Sequence, residues 1–200
     1  MGALRQRLSW SEDGALHDGP RRYLMMRTDV LMGTLLRLAP EAQADWLRAW
    51  AASTREHGAA SLQAYAAMSG ADALPISGAD AAALADSTLQ AAADLGWGRW
   101  TIEPLDDGLQ LQVRGSPFVQ GWRAAQPKPG PTRGAAAATA LGAPVSAPVC
   151  RPVCAPISGL FTALAGMLLH DPVEVTETAC AAAHGAPPDL CTFAARRVQP

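Results

Sequence analysis

Four side chains in the last quarter of the chain are of types that bind a borderline-soft divalent ion: Cys154, Glu177, Cys180 and Cys191. Zinc favours thiolates with at most a few harder ligands, arranged as a closed tetrahedron when the site is structural. Cys154 stands before an apolar run, Glu177 and Cys180 end a β-branched segment, and Cys191 begins the next one. A helix of about ten to twelve residues rises only ~1.5 Å per residue, so a strand returning from it brings the outer ends of the unit together. The close Cys-x-x-Cys pairs of zinc fingers are absent. Residue type and spacing therefore leave two readings: a zinc site, or small buried hydrophobes, the usual place of a free cysteine. Cys150 and His184 lie in the same stretch and are further donor candidates.

Other chemistry is sparse. His17, His57 and His170 fall in separate segments, and Ser158 beside Gly159 lacks the rest of a nucleophile elbow. Gly115 and Gly121 do not have the spacing of a phosphate-binding loop. The reading leans away from an enzyme. A net charge of −2, with basic residues singly or in pairs, makes no stripe for a phosphate backbone, so nucleic acid is not an expected partner. The longest near-apolar run, 155–169, is too short to span a bilayer and holds Pro156, Ser158 and two glycines. No apolar stretch follows Arg5 and Arg7 to make a signal peptide, and the expected location is cytoplasmic, with reduced cysteines.

The elements that must position these residues can be read in turn. With 49% hydrophobic residues in 200, one domain with a sizeable core is expected over 1–200. Leu8-Ser9-Trp10 and Ala15-Leu16-His17 flank the turn Glu12-Asp13-Gly14 as a short hairpin. After Asp18-Gly19-Pro20, the spacing of Leu24, Val30, Leu31, Leu35 and Leu38 predicts a helix. Pro40 suits the first turn of the next, running through Trp46, Leu47, Trp50, Leu62 and Tyr65 with a break or kink at Gly58. Ser77 or Asp80 caps a third, carrying Leu84, Leu89 and Leu95 up to Gly96. Residues 1–96 thus form a hairpin and helical part.

Trp97–Leu105 and Leu109–Val113, around Asp106-Asp107-Gly108, predict a β-hairpin, with a short helix or turn over Pro117–Trp122. The Pro/Gly/Ala composition of 126–148 predicts a flexible loop. Ile157, Leu160, Phe161, Leu164, Met167 and Leu168 share a helical face, and Val173–Thr178 and Cys191–Val198 read as an antiparallel pair.

The segments Cys154-Ala-Pro-Ile-Ser-Gly159, Val175-Thr-Glu177-Thr-Ala-Cys180, Gly185 and Cys191-Thr-Phe193 together resemble the C-terminal signature of the 4-vinyl-reductase-like, or hydrocarbon-binding, domain family. That family includes the sensory domains of phenol- and xylene-responsive transcription activators and a bacteriochlorophyll-biosynthesis protein. Leu8-Ser9-Trp10, Gly14-Ala15-Leu16 and Gly19–Leu24 resemble, more loosely, the family's opening hairpin and its entry into the first helix. The stretch between Cys180 and Cys191 is a few residues longer than in the phenol sensors.

The resemblance implies a structural zinc held by Cys154, Glu177, Cys180 and Cys191, with Cys154 preferred to Cys150 because it keeps the distance to Glu177 and the glycine five residues on. A set of four protein ligands leaves no open position for water or substrate. The implied fold is α+β: a small twisted antiparallel sheet packed with helices, like that of trafficking-complex (TRAPP) subunits, and commonly dimeric. It also implies an apolar pocket for a phenol-like or hydrocarbon ligand, for which Trp97, Trp100, Phe118, Trp122 and Phe161 are the candidate lining, against the plainer reading that they are core. Met25, Met26 and Met32 are candidates for a helix face that meets a partner subunit, against the plainer reading of core packing. The expected function is a zinc-stabilised sensor or carrier, signalling through a separate partner because no ATPase or DNA-binding segment follows. The alternatives are an accessory of tetrapyrrole vinyl reduction and a dimeric scaffold.

Overall fold

A computed structural model of the chain describes residues 4–68, 78–126, 152–183 and 188–198. The loop predicted over 126–148 lies outside them apart from Gln126, as do Ser77, Cys150 and His184. The chain order is α1 (Leu4–Arg7), β1 (Ser9–Trp10), β2 (Leu16–Asp18), β3 (Arg21–Tyr23), α2 (Thr28–Leu36), α3 (Pro40–Met68), α4 (Gly78–Asp94), β4 (Arg99–Leu105), β5 (Gly108–Arg114), α5 (Pro117–Ala125), α6 (Ala155–Leu169), β6 (Val173–Ala179) and β7 (Leu190–Arg197). The fold is α+β, with two antiparallel sheets in the orders β1-β2-β3 and β4-β5-β7-β6. No helix among the described residues is long and apolar enough to cross a membrane.

The four-stranded sheet follows its sequence pattern closely. Asp106 and Asp107 make the turn between β4 and β5, with Leu105 opposite Gly108 and Trp100 opposite Val113. β7 lies between β5 and β6 and turns Cys191, Phe193 and Ala195 inward, all fully buried. Leu111 and Val113 of β5 join them on the same buried layer. This period-2 alternation is the mark of a sheet with one face in the core.

α6 covers that face and packs on its other side against α3. Ile157, Phe161, Leu164 and Ala165 are fully buried, as expected for a helix apolar on nearly every side. The crossing with α3 is close. A Cβ on Gly159 would run into the backbone carbonyl of Ala51, and one on Gly58 would lie 2.8 Å from Leu160 Cδ1. Gly58 therefore does not break the helix, as its type suggested. α3 runs unbroken for 29 residues, and this glycine lets α6 approach it.

The N-terminal region departs from its pattern in two ways. A third strand, β3, pairs with β2, setting Asp18 opposite Arg21 and Leu16 opposite Tyr23. The turn between them is Gly19-Pro20, with Gly19 at φ +58°. Helix α2 then starts at Thr28, not near Leu24. Leu24, Met25 and Met26 are exposed, outside any helix, whereas Met32 of α2 is fully buried. The three methionines share no helix face. Hydrophobic spacing cannot separate a strand and linker of apolar residues from a first helical turn when no capping side chain marks the start, and Arg27 makes no such bond.

Candidate metal centre

The end of β6 carries the unusual inward residue. Val173, Val175 and Glu177 occupy the half-buried positions of that strand, so an acid stands where the pattern asks for another valine. The register between β6 and β7 then shifts between Glu177, opposite Phe193, and Ala179, opposite Thr192. Such an irregularity re-aims the chain beyond it, and the next residue is Cys180, buried at 4% exposure. Cys191, on β7 opposite Val113 of β5, and Cys154, at the N-cap of α6, complete the group. The Cys154 carbonyl accepts the Ile157 and Ser158 N–H groups, tying the residue to the first turn of the helix.

One donor atom from each of Cys154, Glu177, Cys180 and Cys191 can be chosen so that all lie within 4.8 Å of one another. The sulfurs of Cys154 and Cys191 are 3.6 Å apart. A tetrahedron with Zn–S bonds of about 2.3 Å has edges of about 3.8 Å, so this pair has a spacing suited to a shared ion. Glu177 Oε1 is buried and has no hydrogen-bond partner among the described residues. An orphaned buried carboxylate oxygen is costly unless something positive meets it. Three thiols, one carboxyl and an oxygen lacking a donor fit a zinc-like cation well.

The electrostatics point the same way. Burial pushes the Glu177 carboxyl up to about 9, helped by the nearby Cys180 sulfur. Hydrogen bonds with Cys180 and Cys191, together with burial, push the Cys154 thiol well above its ordinary range. The same thiol contacts, from Cys154 and then Cys180, pull Cys191 down to about 4, and the Ala181 N–H, 3.4 Å from its sulfur, adds to this. Four acidic groups packed together cannot all ionise without a compensating charge; a divalent cation would supply it.

Two contacts from α5 support the centre. Ser116 Oγ lies 3.2 Å from Cys154 Sγ. The Arg123 guanidinium donates to the carbonyls of Ala181 and Pro188, both within the connection from Cys180 to Cys191, the latter at 2.6 Å. Neither residue stood out in the sequence: a serine before a proline reads as an ordinary helix start, and nothing local marks its separation of 38 residues from Cys154.

The buried face of α5 belongs to an aromatic cluster. Phe118, Trp122, Trp100 and Phe161 are buried in one core, with Trp97 half-buried against it. All five aromatics singled out in the sequence thus lie in or against one core, and ring contacts join three of them, Trp97, Trp100 and Phe118. Phe118 receives edge contacts from Trp97 at 5.6 Å and from Trp50 at 5.2 Å, and Trp46 lies 4.5 Å from Trp50. In the sequence Trp46 and Trp50 are two positions of a helix, and the signal that pairs them is their i, i+4 spacing, which puts them on one face. The Trp100 indole N–H donates to the Trp97 carbonyl at 3.1 Å.

No family model and no curated protein matches this sequence. Among solved structures the chain is similar to the phenol-responsive sensory domain of the transcription activator PoxR, crystallised with phenol. The identity is 13% and the TM-score 0.67, over 97% of this chain and 86% of that one. At that identity the likeness is one of fold, and it extends over almost the whole chain.

Proposed function

We propose that residues 1–200 form one metal-stabilised domain that binds a small apolar or aromatic molecule, as a sensor or carrier. Zinc, held by Cys154, Glu177, Cys180 and Cys191, is its structural clamp. The observation that carries the clamp is the buried Glu177 oxygen without a partner among three clustered thiols. Bound zinc would neutralise the cluster and join the start of α6 to the ends of β6 and β7; a full set of protein ligands gives it no catalytic part. The binding reading rests on the aromatic cluster and on the shared fold of a sensory domain that is phenol-responsive. The resemblance of the C-terminal segments to the hydrocarbon-binding family supports the same reading.

Five of the six tryptophans, all but Trp10, lie in or against the cluster, so their emission reports its occupancy. Titration with phenol and alkylbenzenes is expected to change that emission saturably and to raise Tm. A response to porphyrins alone would favour tetrapyrrole handling. The close ring contacts around Phe118 favour a second reading, a filled core in a scaffold, which silence with every compound would support.

The dimer proposed for this chain has a candidate contact surface. Trp10, Leu24, Met25, Met26 and Val30 are all exposed in the N-terminal region, and several line a groove of ≈ 580 Å³ beside β2 and β3. Exposed apolar groupings of this kind mark contact surfaces. Sedimentation of the wild type against Leu24→Glu tests it: a dimer that the substitution dissociates is expected, and a monomeric wild type sinks the idea.

A further inference from the structure

Ser116 is placed to do something other than cap its helix. It occupies the N-cap of α5, where a serine hydroxyl ordinarily accepts a bond from the N–H of the second or third helical residue. Its side chain makes no such bond. The hydroxyl lies 3.2 Å from Cys154 Sγ instead, in a residue 3% exposed. Buried hydroxyls require a partner, and the sulfur supplies it. Either group can donate while Cys154 is a thiol. A thiolate cannot, so when Cys154 holds a cation the hydroxyl must be the donor.

We infer that Ser116 is a positioning residue for the metal centre, its hydroxyl donating to the Cys154 sulfur and setting that ligand's orientation and donor strength. The inference rests on reading the cluster as a metal site. A hydrogen bond to a metal thiolate draws charge from the sulfur and restricts its torsion, which is how groups behind the ligands tune a site. Arg123 anchors the other end of the same helix to the connection between Cys180 and Cys191. α5 therefore holds Ser116 in register with the ligands at both ends, and the capping bond is given up for the sulfur.

The test uses the full chain loaded with cobalt(II), whose thiolate-to-metal charge-transfer band reports on the sulfurs, and zinc competition against a chromophoric chelator. Ser116→Ala is expected to move the band to lower energy and to weaken zinc about tenfold, whereas Ser116→Thr keeps both near wild type. Ser116→Asp separates this role from capping. Aspartate is as good an N-cap as serine, but it faces the thiolate with a second negative charge, so it is expected to hold zinc more weakly than alanine does. Thr88→Ala removes another buried hydroxyl, bonded to the Leu84 carbonyl within α4, and should lower Tm without moving the band. An unmoved band and unchanged zinc affinity in Ser116→Ala overturn the inference even if Tm falls. Zinc retained by Ser116→Asp overturns it too. A wild type that gives no charge-transfer band at all fails differently, because it removes the metal reading itself.

Discussion

The two ends of the chain each fix a small piece of sheet with buried polar groups, and they do so in opposite ways. At the N-terminal end Arg7 meets Asp18 through two parallel bonds, at 3.1 and 3.2 Å, with the Asp18 side chain 8% exposed. The guanidinium of Arg7 also lies 5.2 Å from the Tyr65 ring on α3, and that of Arg21 lies 6.0 Å from it. The Arg7 and Asp18 charges balance each other within the chain. At the C-terminal end four acidic side chains converge, and one carboxylate oxygen, Glu177 Oε1, has no hydrogen-bond partner among the described residues. One junction is complete as folded; on the proposed metal reading, the other is completed by an added ion. They should therefore respond differently to chelator, to salt and to pH.

The largest difference is expected on removing the metal. Cys180→Ala, or chelation of the wild type, should abolish zinc binding and cost on the order of 5 kcal/mol. That is less than the ~10–16 kcal/mol of zinc-finger peptides because the surrounding core already gathers the ligands. Hydrogen exchange should quicken in β6, β7 and the first turn of α6 and stay unchanged in β1–β3. Cys150→Ala should be mild in the same assay; equal zinc loss in the two variants would show that Cys150, not Cys154, is the first ligand. A protein purified without metal and indifferent to zinc would falsify the contrast.

Next in size is Asp18→Asn, which leaves the Arg7 charge without its carboxylate. Breaking a fully buried pair costs ~3–5 kcal/mol, and about 2 kcal/mol is expected here because Arg7 keeps 21% side-chain exposure. Denaturation should show the loss equally with and without chelator. Replacing both partners, as Arg7→Met with Asp18→Leu, should recover most of it, since an apolar pair needs no compensation. If the loss depends on zinc, the two ends are not independent.

The C-terminal end was the more legible in sequence because its information is local and chemical. Thiols and an acid flank elements whose periods are plain, and β6, β7 and α6 lie where their patterns put them. Glu177 was legible as the acid three residues before Cys180 at the end of a β-branched segment, and the structure adds that it sits at a half-buried strand position. The N-terminal clasp left no such mark: Arg7, Asp18 and Arg21 look like ordinary surface residues, and Tyr65 like one more position on a helix face, until tertiary packing gathers them. Gly58 misled for the same reason. Propensity reads a glycine as a weak point in a helix, while its use, the close passage of Leu160, is set by an element a hundred residues away. The contact of Ser116 with Cys154 is long-range as well, and no local pattern encodes it.

The pH responses should also diverge. Without a cation, Glu177 is raised from 4.5 to about 9 and Cys191 lowered from 9.0 to about 4. A raised acid loses stability as pH climbs from its unfolded to its folded pKa, here from about 4.5 to 9. A depressed thiol gains stability as pH climbs from its folded to its unfolded value, here from about 4 to 9. The two slopes oppose each other, so between pH 5 and 8 this pair should leave chelated protein nearly flat in stability. Zinc needs all four ligands ionised, and must displace the protons held on Glu177 and Cys154 among them. Its affinity should rise over the same range, by up to about 1.4 kcal/mol per pH unit for each proton displaced. Chelator competition from pH 5.5 to 8.5 reads this directly, and a level affinity would mean the cluster does not hold those protons.

The smallest expected effect tests whether the N-terminal clasp depends on the ring or on the ion pair. Arg21→Ala removes the more distant cation from the Tyr65 face and should cost about 0.5 kcal/mol, the scale of an exposed cation–π contact. Salt should change that cost little, because the attraction is short-ranged and the Arg7–Asp18 pair, being largely buried, is poorly screened. If Arg21→Ala instead costs as much as Asp18→Asn, the ring is the anchor and the ion pair only orients Arg7 over it. The N-terminal sheet would then be held by packing on α3, and the contrast with the C-terminal end would be one of apolar contact against metal ligation, not of paired against unpaired charge.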